Sequence, residues 1–144
     1  MKIYFAGSIR GGVENASLFK EIVKYLRKYG DVIGGEHADE TLASLQNNID
    51  DKFIFDRDSK RLNEADLLVA EVTTPSLGVG YEIGRFVEQD KKILTLFNDS
   101  TGKKLSALIN GSPLIVNKAY KNLEDIKKII DKFFKTLDFD NQLD

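Results

Sequence analysis

The sequence predicts an α/β fold, a flavodoxin-like or Rossmann-like three-layer sandwich with a five-stranded parallel sheet and helices on both faces. Short apolar runs alternate with longer segments of helical period, which is typical of parallel strands joined by crossover helices. The chain has 144 residues, of which 42% are hydrophobic and 31% charged. This length and composition suit a single globular domain over residues 1–144 with one sizeable core.

The elements follow one another as successive βα units. Strands are predicted where short apolar runs occur, at Ile3–Ala6, Asp31–Gly34, Leu67–Val72, Ile93–Phe97 and Leu114–Val116. Helices are predicted at Glu14–Tyr29, Asn48–Asn63, Val79–Gln89 and Leu123–Leu137. In the last helix lysines interleave with apolar residues, which indicates a solvated face over a core stripe rather than a basic binding patch.

Composition limits the function classes. The 21 basic and 23 acidic residues nearly cancel, so a nucleic-acid polymer is not an expected partner. Without cysteine, and with His37 as the single histidine, no metal site and no cofactor are expected. The apolar run at the N-terminus is too short for a signal peptide or a membrane span. We expect a soluble cytoplasmic protein without membrane association.

In an open α/β sheet the ligand site lies outside the carboxyl ends of the strands, which directs attention to three loops. The first, Gly7–Gly12, is glycine-rich and could hold a phosphate, or it could simply turn the chain into a helix with Arg10 exposed. It matches neither G-x-G-x-x-G nor the Walker pattern. The second loop, Gly34–Asn47, carries His37, either as a surface residue or as a contact to a ligand.

The third loop, Thr73–Gly80, leads into a helix that Ser76 can cap while offering its hydroxyl to a ligand. Glu82 in the first turns of this helix could merely favour the helix dipole. However, Gly78 and Gly80 each cost about 1 kcal/mol inside a helix, which suggests that something must come close to this carboxylate.

Of three further residues, Asp58 and Tyr4 have two interpretations each and Ser106 has one. Asp58, within a run of surface aspartates, could instead pair with Glu82 across a sugar, as glycosidic cleavage requires. Tyr4 is typical of core packing, although its hydroxyl could orient a carboxylate. Ser106 reads as an ordinary helix or loop serine.

Taken together, the motifs resemble those of the 2′-deoxynucleoside 5′-phosphate N-hydrolase family within the nucleoside 2-deoxyribosyltransferase superfamily. The resemblance covers nearly the whole chain except Ala38–Ile49, which departs more freely and puts base preference in doubt. It is carried by Tyr4–Gly12, Glu36-His37, Ala65–Thr73, Pro75–Glu82 and Leu105–Ala107.

The resemblance implies hydrolysis of the N-glycosidic bond of a 2′-deoxynucleoside 5′-monophosphate by a retaining mechanism. It makes Glu82 the nucleophile, Asp58 the acid/base and Tyr4 the residue that orients Glu82. It implies a homodimer with shared active sites, in which Ser106 reaches the partner subunit's site. The implied substrate-binding residues are Ser8, Ile9, Arg10, Gly12, His37, Ser76, Gly78 and Ser106.

The implied roles require Asp58 to be protonated and Glu82 to be ionised. An ordinary aspartate is only about one part in a thousand protonated at pH 7, so we expect burial and the Glu82 anion to favour its neutral form.

Three alternatives stay open. A 2-deoxyribosyltransferase passes the sugar to a second base but needs no phosphate pocket. A ribonucleotide hydrolase of the CMP type must make room for a 2′-hydroxyl beside Tyr4. A non-catalytic nucleotide-binding module gains nothing from two neighbouring carboxylates.

Overall fold

The computed structural model describes residues 1–8, 12–34 and 50–143, and within these ranges it confirms the predicted α/β class with a five-stranded, all-parallel sheet. The strands are β1 (Lys2–Gly7), β2 (Asp31–Ile33), β3 (Leu67–Glu71), β4 (Lys92–Asn98) and β5 (Val116–Tyr120). The helices are α1 (Gly12–Leu26), α2 (Asp51–Glu64), α3 (Leu77–Glu88), the one-turn α4 (Ala107–Asn110) and α5 (Leu123–Leu143), with a short 3-10 helix at Asp99–Thr101.

The strand order is β2-β1-β3-β4-β5. The chain therefore moves outward in one direction from β1 to β2, then crosses back to place β3 on the other side of β1. Such a reversal leaves a crevice at the carboxyl ends of the two strands that flank it. Here that crevice lies between the end of β1 and the end of β3.

Alternating side chains of the sheet form two cores. On one face, which we call the closed face, β-strand residues such as Phe5 and Val69 pack against α1 and α5. On the other, the open face, Tyr4 and Leu68 pack with α2 and α3. The period of two along each strand sends neighbouring residues to opposite faces, so Tyr4 lies on the open face between two residues of the closed face.

The main departures from the sequence prediction lie near the C-terminal edge of the sheet. The last strand, predicted at Leu114–Val116, instead runs over Val116–Tyr120. Only Tyr120 of this edge strand is buried, so the strand lacks the apolar run that marks inner strands. Helix α4 was not predicted because a single turn is too short to show a helical period. The final helix continues six residues past its predicted end at Leu137.

None of the helices in the described part of the chain is both long enough and apolar enough to span a membrane.

Candidate active site

The centre of the site is a hydrogen bond between Tyr4 and Glu82. The hydroxyl of Tyr4, whose side chain is 3% exposed, donates to Oε1 of Glu82 over 3.0 Å. Glu82 lies on α3 between Val79 and Phe86, both buried in the open-face core. The strand and the helix thus bring a phenol and a carboxylate from positions 78 residues apart into direct contact.

The start of α3 is fixed by the predicted cap. Ser76 has extended backbone, and its side chain accepts a hydrogen bond from the amide of Val79. This satisfies one of the amides that a helix start leaves without a partner. The cap holds the first turn in place, so that Glu82 in the second turn faces Tyr4.

Asp58 approaches the same place from α2. Its charge acts on both Tyr4 and Glu82, since it raises the pKa of each. Two arginines of the same helix pair with it: Nε of Arg57 lies 2.9 Å and Nη1 of Arg61 3.5 Å from Oδ1 of Asp58. The side chains of Arg57, Arg61 and Asp58 are 25%, 27% and 20% exposed, so water screens these ion pairs only in part.

Burial dominates the electrostatics of the pair. It raises the pKa of Glu82 to about 7; the hydrogen bond from Tyr4 opposes this rise, and the charge of Asp58 adds to it. Burial, followed by the charges of Glu82 and Asp58, also raises the pKa of Tyr4. Tyr4 is therefore a neutral hydrogen-bond donor near pH 7, and Glu82 exchanges a proton in the physiological range.

The pKa of Glu82 differs from the sequence-based expectation of an ionised carboxylate, since burial raises it to about 7. The expectation of a protonated Asp58 stays a prediction. In the structure two guanidinium groups pair with this side chain. The arginines were overlooked because adjacent charges on a helix usually indicate a solvated surface.

The end of β1 carries the next candidate, Ser8. This serine is 3% exposed, and among the described residues its hydroxyl has no hydrogen-bond partner. Buried hydroxyls are usually satisfied, so Ser8 is suited to meet a polar group of a ligand. Gly12 begins α1. The other predicted contacts Ile9, Arg10 and His37 lie outside the described residues.

Gly34, at the end of β2, lies against the ring of Tyr4. A Cβ here would come within 3.0 Å of Tyr4 Cζ and 2.9 Å of the carbonyl oxygen of Phe5, and its φ of +80° belongs to the left-handed region. Glycine is therefore required for both space and backbone conformation. It lets the backbone at the end of β2 lie directly beside the Tyr4 side chain.

A second concave region adjoins the site on the outer side of α3. This groove of about 880 Å³ runs between α3 and the segment 104–115. Ser76 and Ser106 both line it, whereas neither Tyr4 nor Glu82 does. The structure thus places Ser106 on an exposed rim, away from the Tyr4–Glu82 contact.

The surface of the groove is formed by apolar side chains and includes two glycines. Leu77 is 96% and Leu108 85% exposed. Gly80 and Gly84 line the same surface. Apart from the neighbouring residues and the backbone of the same helix, no described atom would lie within 4 Å of a Cβ at either position. The chain's own packing therefore does not explain these glycines.

Sequence reasoning missed a buried network on the closed face. Glu71 at the end of β3 is 2% exposed and accepts hydrogen bonds from the amide and hydroxyl of Thr73 and from the hydroxyl of Tyr120 at 3.0 Å. The Thr73 hydroxyl in turn accepts from the amide of Asn98. The available signal was an acidic residue within an otherwise apolar strand, because a buried charge needs partners.

No cluster of three or more histidine, aspartate or glutamate side chains that could hold a metal ion occurs within the described ranges.

Carboxylates and a tyrosine at the crevice of a 2-1-3-4-5 sheet define a class of proteins. Comparison with known protein families identifies that class. The model of the nucleoside 2-deoxyribosyltransferase family matches residues 3–126. The chain belongs to the nucleoside 2-deoxyribosyltransferase family.

Within that family the chain is similar to two proteins along nearly their whole lengths. The 5-hydroxymethyl-dUMP N-hydrolase of Danio rerio is 45% identical over 141 residues, covering 95% of this chain and 98% of that protein. The putative 2′-deoxynucleoside 5′-phosphate N-hydrolase 1 of Nematostella vectensis is 46% identical over 142 residues, covering 94% and 95%.

Solved structures share the fold. The CMP N-glycosidase BcmB of Clostridium botulinum superposes with a TM-score of 0.69 at 18% identity, covering 92% of this chain and 99% of that one. A conserved protein of Enterococcus faecalis V583 gives a TM-score of 0.61 at 22% identity, covering 92% and 98%. At these identities the similarity supports the architecture alone.

Proposed function

We propose that the protein hydrolyses the N-glycosidic bond of 2′-deoxynucleoside 5′-monophosphates, releasing the free base and 2-deoxyribose 5-phosphate. The observation that carries the proposal is the hydrogen bond from buried Tyr4 to Glu82, with Asp58 close enough to act electrostatically on both. The names of the two relatives, which cover nearly the whole chain, supply the substrate class.

In the proposed first step a carboxylate oxygen of Glu82 attacks C1′ of the deoxyribose. The bond between C1′ and the base nitrogen breaks, and its electron pair leaves with the base, which takes up a proton from Asp58. In the second step water attacks C1′, its proton passes to Asp58, and the bond between C1′ and Glu82 breaks. Two displacements at one carbon retain its configuration.

Tyr4 supports this chemistry through the hydrogen bond to Oε1. The bond stabilises the ionised form of Glu82, since it lowers a pKa that burial raises. It also fixes the carboxylate on the strand side, which leaves the second oxygen to approach the sugar. We therefore assign Tyr4 a positioning role rather than a role in proton transfer.

The two carboxylates must share one proton during the first step, with the proton on Asp58 and the charge on Glu82. In the free protein, burial raises the pKa of Glu82 and so favours the opposite location of the proton. We propose that the substrate reverses this preference, because the developing positive charge on the sugar favours the Glu82 anion.

We propose that the 5′-phosphate binds where the loops after β1 and β3 meet. Ser8 contributes a buried hydroxyl without a partner in the described part of the chain, and Ser76 and Gly78 lie at the start of α3, where a helix favours anions. The resemblance adds Ile9, Arg10 and Gly12 from the first loop and His37 near the base.

Phosphate recognition also bears on the nearest alternative, base exchange by a deoxyribosyltransferase, after which the family is named. Both reactions use the same covalent intermediate and differ in whether water or a second base accepts the sugar. Ser8 favours the hydrolase, since a free nucleoside offers no phosphate for its buried hydroxyl.

The function is tested by incubating the protein with deoxynucleoside monophosphates, ribonucleoside monophosphates and free deoxynucleosides, each with and without a second free base. We expect base release from the deoxynucleoside monophosphates alone, unaffected by added base. Formation of a new nucleoside with the added base would indicate the transferase, and no release from any compound would contradict an enzymatic function.

We further propose that the protein is a homodimer built on the groove beside α3. Leu77, Gly80, Tyr81 and Gly84 form one stripe at spacings of three and four residues, which allows close packing of a second helix. Ser106 on the groove rim is then placed to reach the site of the second copy.

The dimer is tested with Leu77→Glu, which adds a charge to a side chain 96% exposed in the isolated chain. We expect sedimentation velocity to show a shift from dimer to monomer and the rate of base release to fall with it. Lys128→Glu on the exposed side of α5 is the matched control and should leave the dimer unchanged. A wild-type monomer at micromolar concentration would contradict the proposal.

A further inference from the structure

Helix α2 directs two phenylalanines of nearly equal exposure to opposite sides. Phe55 is 54% and Phe53 57% exposed, whereas Leu62 is 1% exposed. At about 100° per residue, Phe55 lies within about 20° of Leu62, two turns away, and Phe53 lies about 180° from it. Leu62 packs in the open-face core with Tyr4, so Phe55 is on the side that faces the sheet and Phe53 is on the side that faces away.

Phe55 therefore faces inward yet is uncovered. It belongs to neither core, and among the described residues its ring stacks on no other aromatic ring. Most residues on the sheet-facing side of a helix are buried. Exposure at such a position indicates space between the first turns of α2 and the strand ends, rather than a ring lying on the outer surface.

The space adjoins the reacting groups. A crossover helix runs antiparallel to the strands, so the first turns of α2 lie at their carboxyl ends. Asp58 follows Phe55 by three residues, a rise of about 4.5 Å along the axis and a rotation of about 60°. From the strand ends inward, one side of α2 thus presents an exposed aromatic ring, a carboxylate that acts on Glu82, and a buried leucine.

We propose that Phe55 is the stacking surface for the nucleobase of the substrate. This inference rests on the proposed hydrolase function, in which the base must lie against Asp58 to receive its proton. The next side chain outward on that side of the helix is an aromatic ring, and every nucleobase offers a π-face to such a ring. Phe55 accordingly contributes affinity for the base as a class, while the choice among bases falls to groups that meet its edge.

The test separates contact with the base from contact with the sugar phosphate. In a Glu82→Gln background, which holds ligand without turnover, calorimetry measures binding of dUMP, dGMP and 2-deoxyribose 5-phosphate. We expect Phe55→Leu to weaken both nucleotides roughly tenfold or more and to leave 2-deoxyribose 5-phosphate unchanged. Phe55→Tyr keeps the ring face and should restore nucleotide affinity.

Phe53→Leu is the matched control, with the same substitution at equal exposure on the opposite side of α2. It should change none of the three affinities. Equal losses for nucleotides and sugar phosphate in Phe55→Leu would reveal a merely structural effect and overturn the proposal, as would no loss at all or an equal loss in Phe53→Leu. The binding comparison does not depend on turnover, so failure of the hydrolase proposal is detected separately, by the absence of base release from the wild-type protein.

Discussion

Glu71 at the end of β3 and Glu82 on α3 lie on opposite faces of the sheet and differ in their hydrogen-bond donors and in their exposure. Burial raises the pKa of both. On the closed face Glu71 accepts three hydrogen bonds, two from Thr73 and one from Tyr120. On the open face Glu82 accepts one, from Tyr4.

This difference separates a structural carboxylate from a reactive one. Glu71 ties the ends of β3, β4 and β5 together, because the donors of Thr73 and Tyr120 converge on its Oε1. Glu82 has a single donor and is half-buried, whereas Glu71 is 2% exposed. The ionised form of Glu82 is therefore less stabilised by hydrogen bonds, and its carboxylate is more accessible to a ligand. Perturbed pKa values accompany both roles, and the donors distinguish them.

The largest expected effect is on turnover. Glu82→Gln keeps the size of the side chain but replaces the nucleophile with an amide, so kcat should fall about 10⁴-fold or more. Glu71→Gln keeps a carbonyl oxygen for the donors of the network and should leave kcat within about threefold of the wild type. Steady-state base release measures both. Comparable losses in the two variants would remove the proposed distinction.

The second expectation concerns stability, for which the substitution of Glu71 should have the larger effect. Glu71→Leu leaves three donors without their acceptor and should lower the free energy of unfolding by about 2–4 kcal/mol. Glu82→Leu leaves only the Tyr4 hydroxyl and removes a carboxylate that folding makes harder to ionise. Urea unfolding at pH 8 compares the two variants.

The raised pKa of Glu82 predicts how the stability of the protein changes with pH. Its pKa rises from 4.5 to about 7 on folding, so the native state binds more protons than the unfolded state between these values. Stability therefore falls across this range by roughly 3 kcal/mol as pH rises. Glu82→Leu lacks this loss and should cost less stability at pH 8 than at pH 4. A larger cost at pH 8 would contradict the burial of an ionisable Glu82.

A smaller effect is expected from Tyr4→Phe, which removes the single donor of Glu82. The hydrogen bond favours the carboxylate, so its loss should move the acidic limb of the kcat/KM profile from about pH 7 to higher pH. At pH 7 we expect kcat/KM to fall about tenfold. Initial rates between pH 5 and 9 measure the shift, and a lower rate with an unmoved limb would contradict the orienting role of Tyr4.

Much of the fold was predictable because periodicity is a local property. The strands with buried runs and the amphipathic helices were found within a few residues of their observed bounds. Edge strand β5 was displaced because its exposed residues carry no apolar signal, and α4 is too short to show a period. The Ser76 cap was predictable for the same reason, since capping depends on neighbouring residues.

The site was predictable only in part. The residue types at 4, 58 and 82 suggested a constellation, but their meeting depends on strand order and on which face each side chain takes. The raised pKa of Glu82 was not predictable, since it depends on how the fold buries this side chain. Neither was the exposure of Phe55, because its helical phase predicts burial and only the structure shows a side chain that is 54% exposed.

The account is tested most directly by identifying the residue that carries the sugar during turnover. The protein is mixed with excess deoxynucleoside monophosphate, quenched in acid, digested and analysed by mass spectrometry. We predict a 2-deoxyribose 5-phosphate adduct on Glu82, retained in Glu71→Gln and absent in Glu82→Gln. An adduct on another residue, or base release with inverted configuration at C1′, would contradict the account.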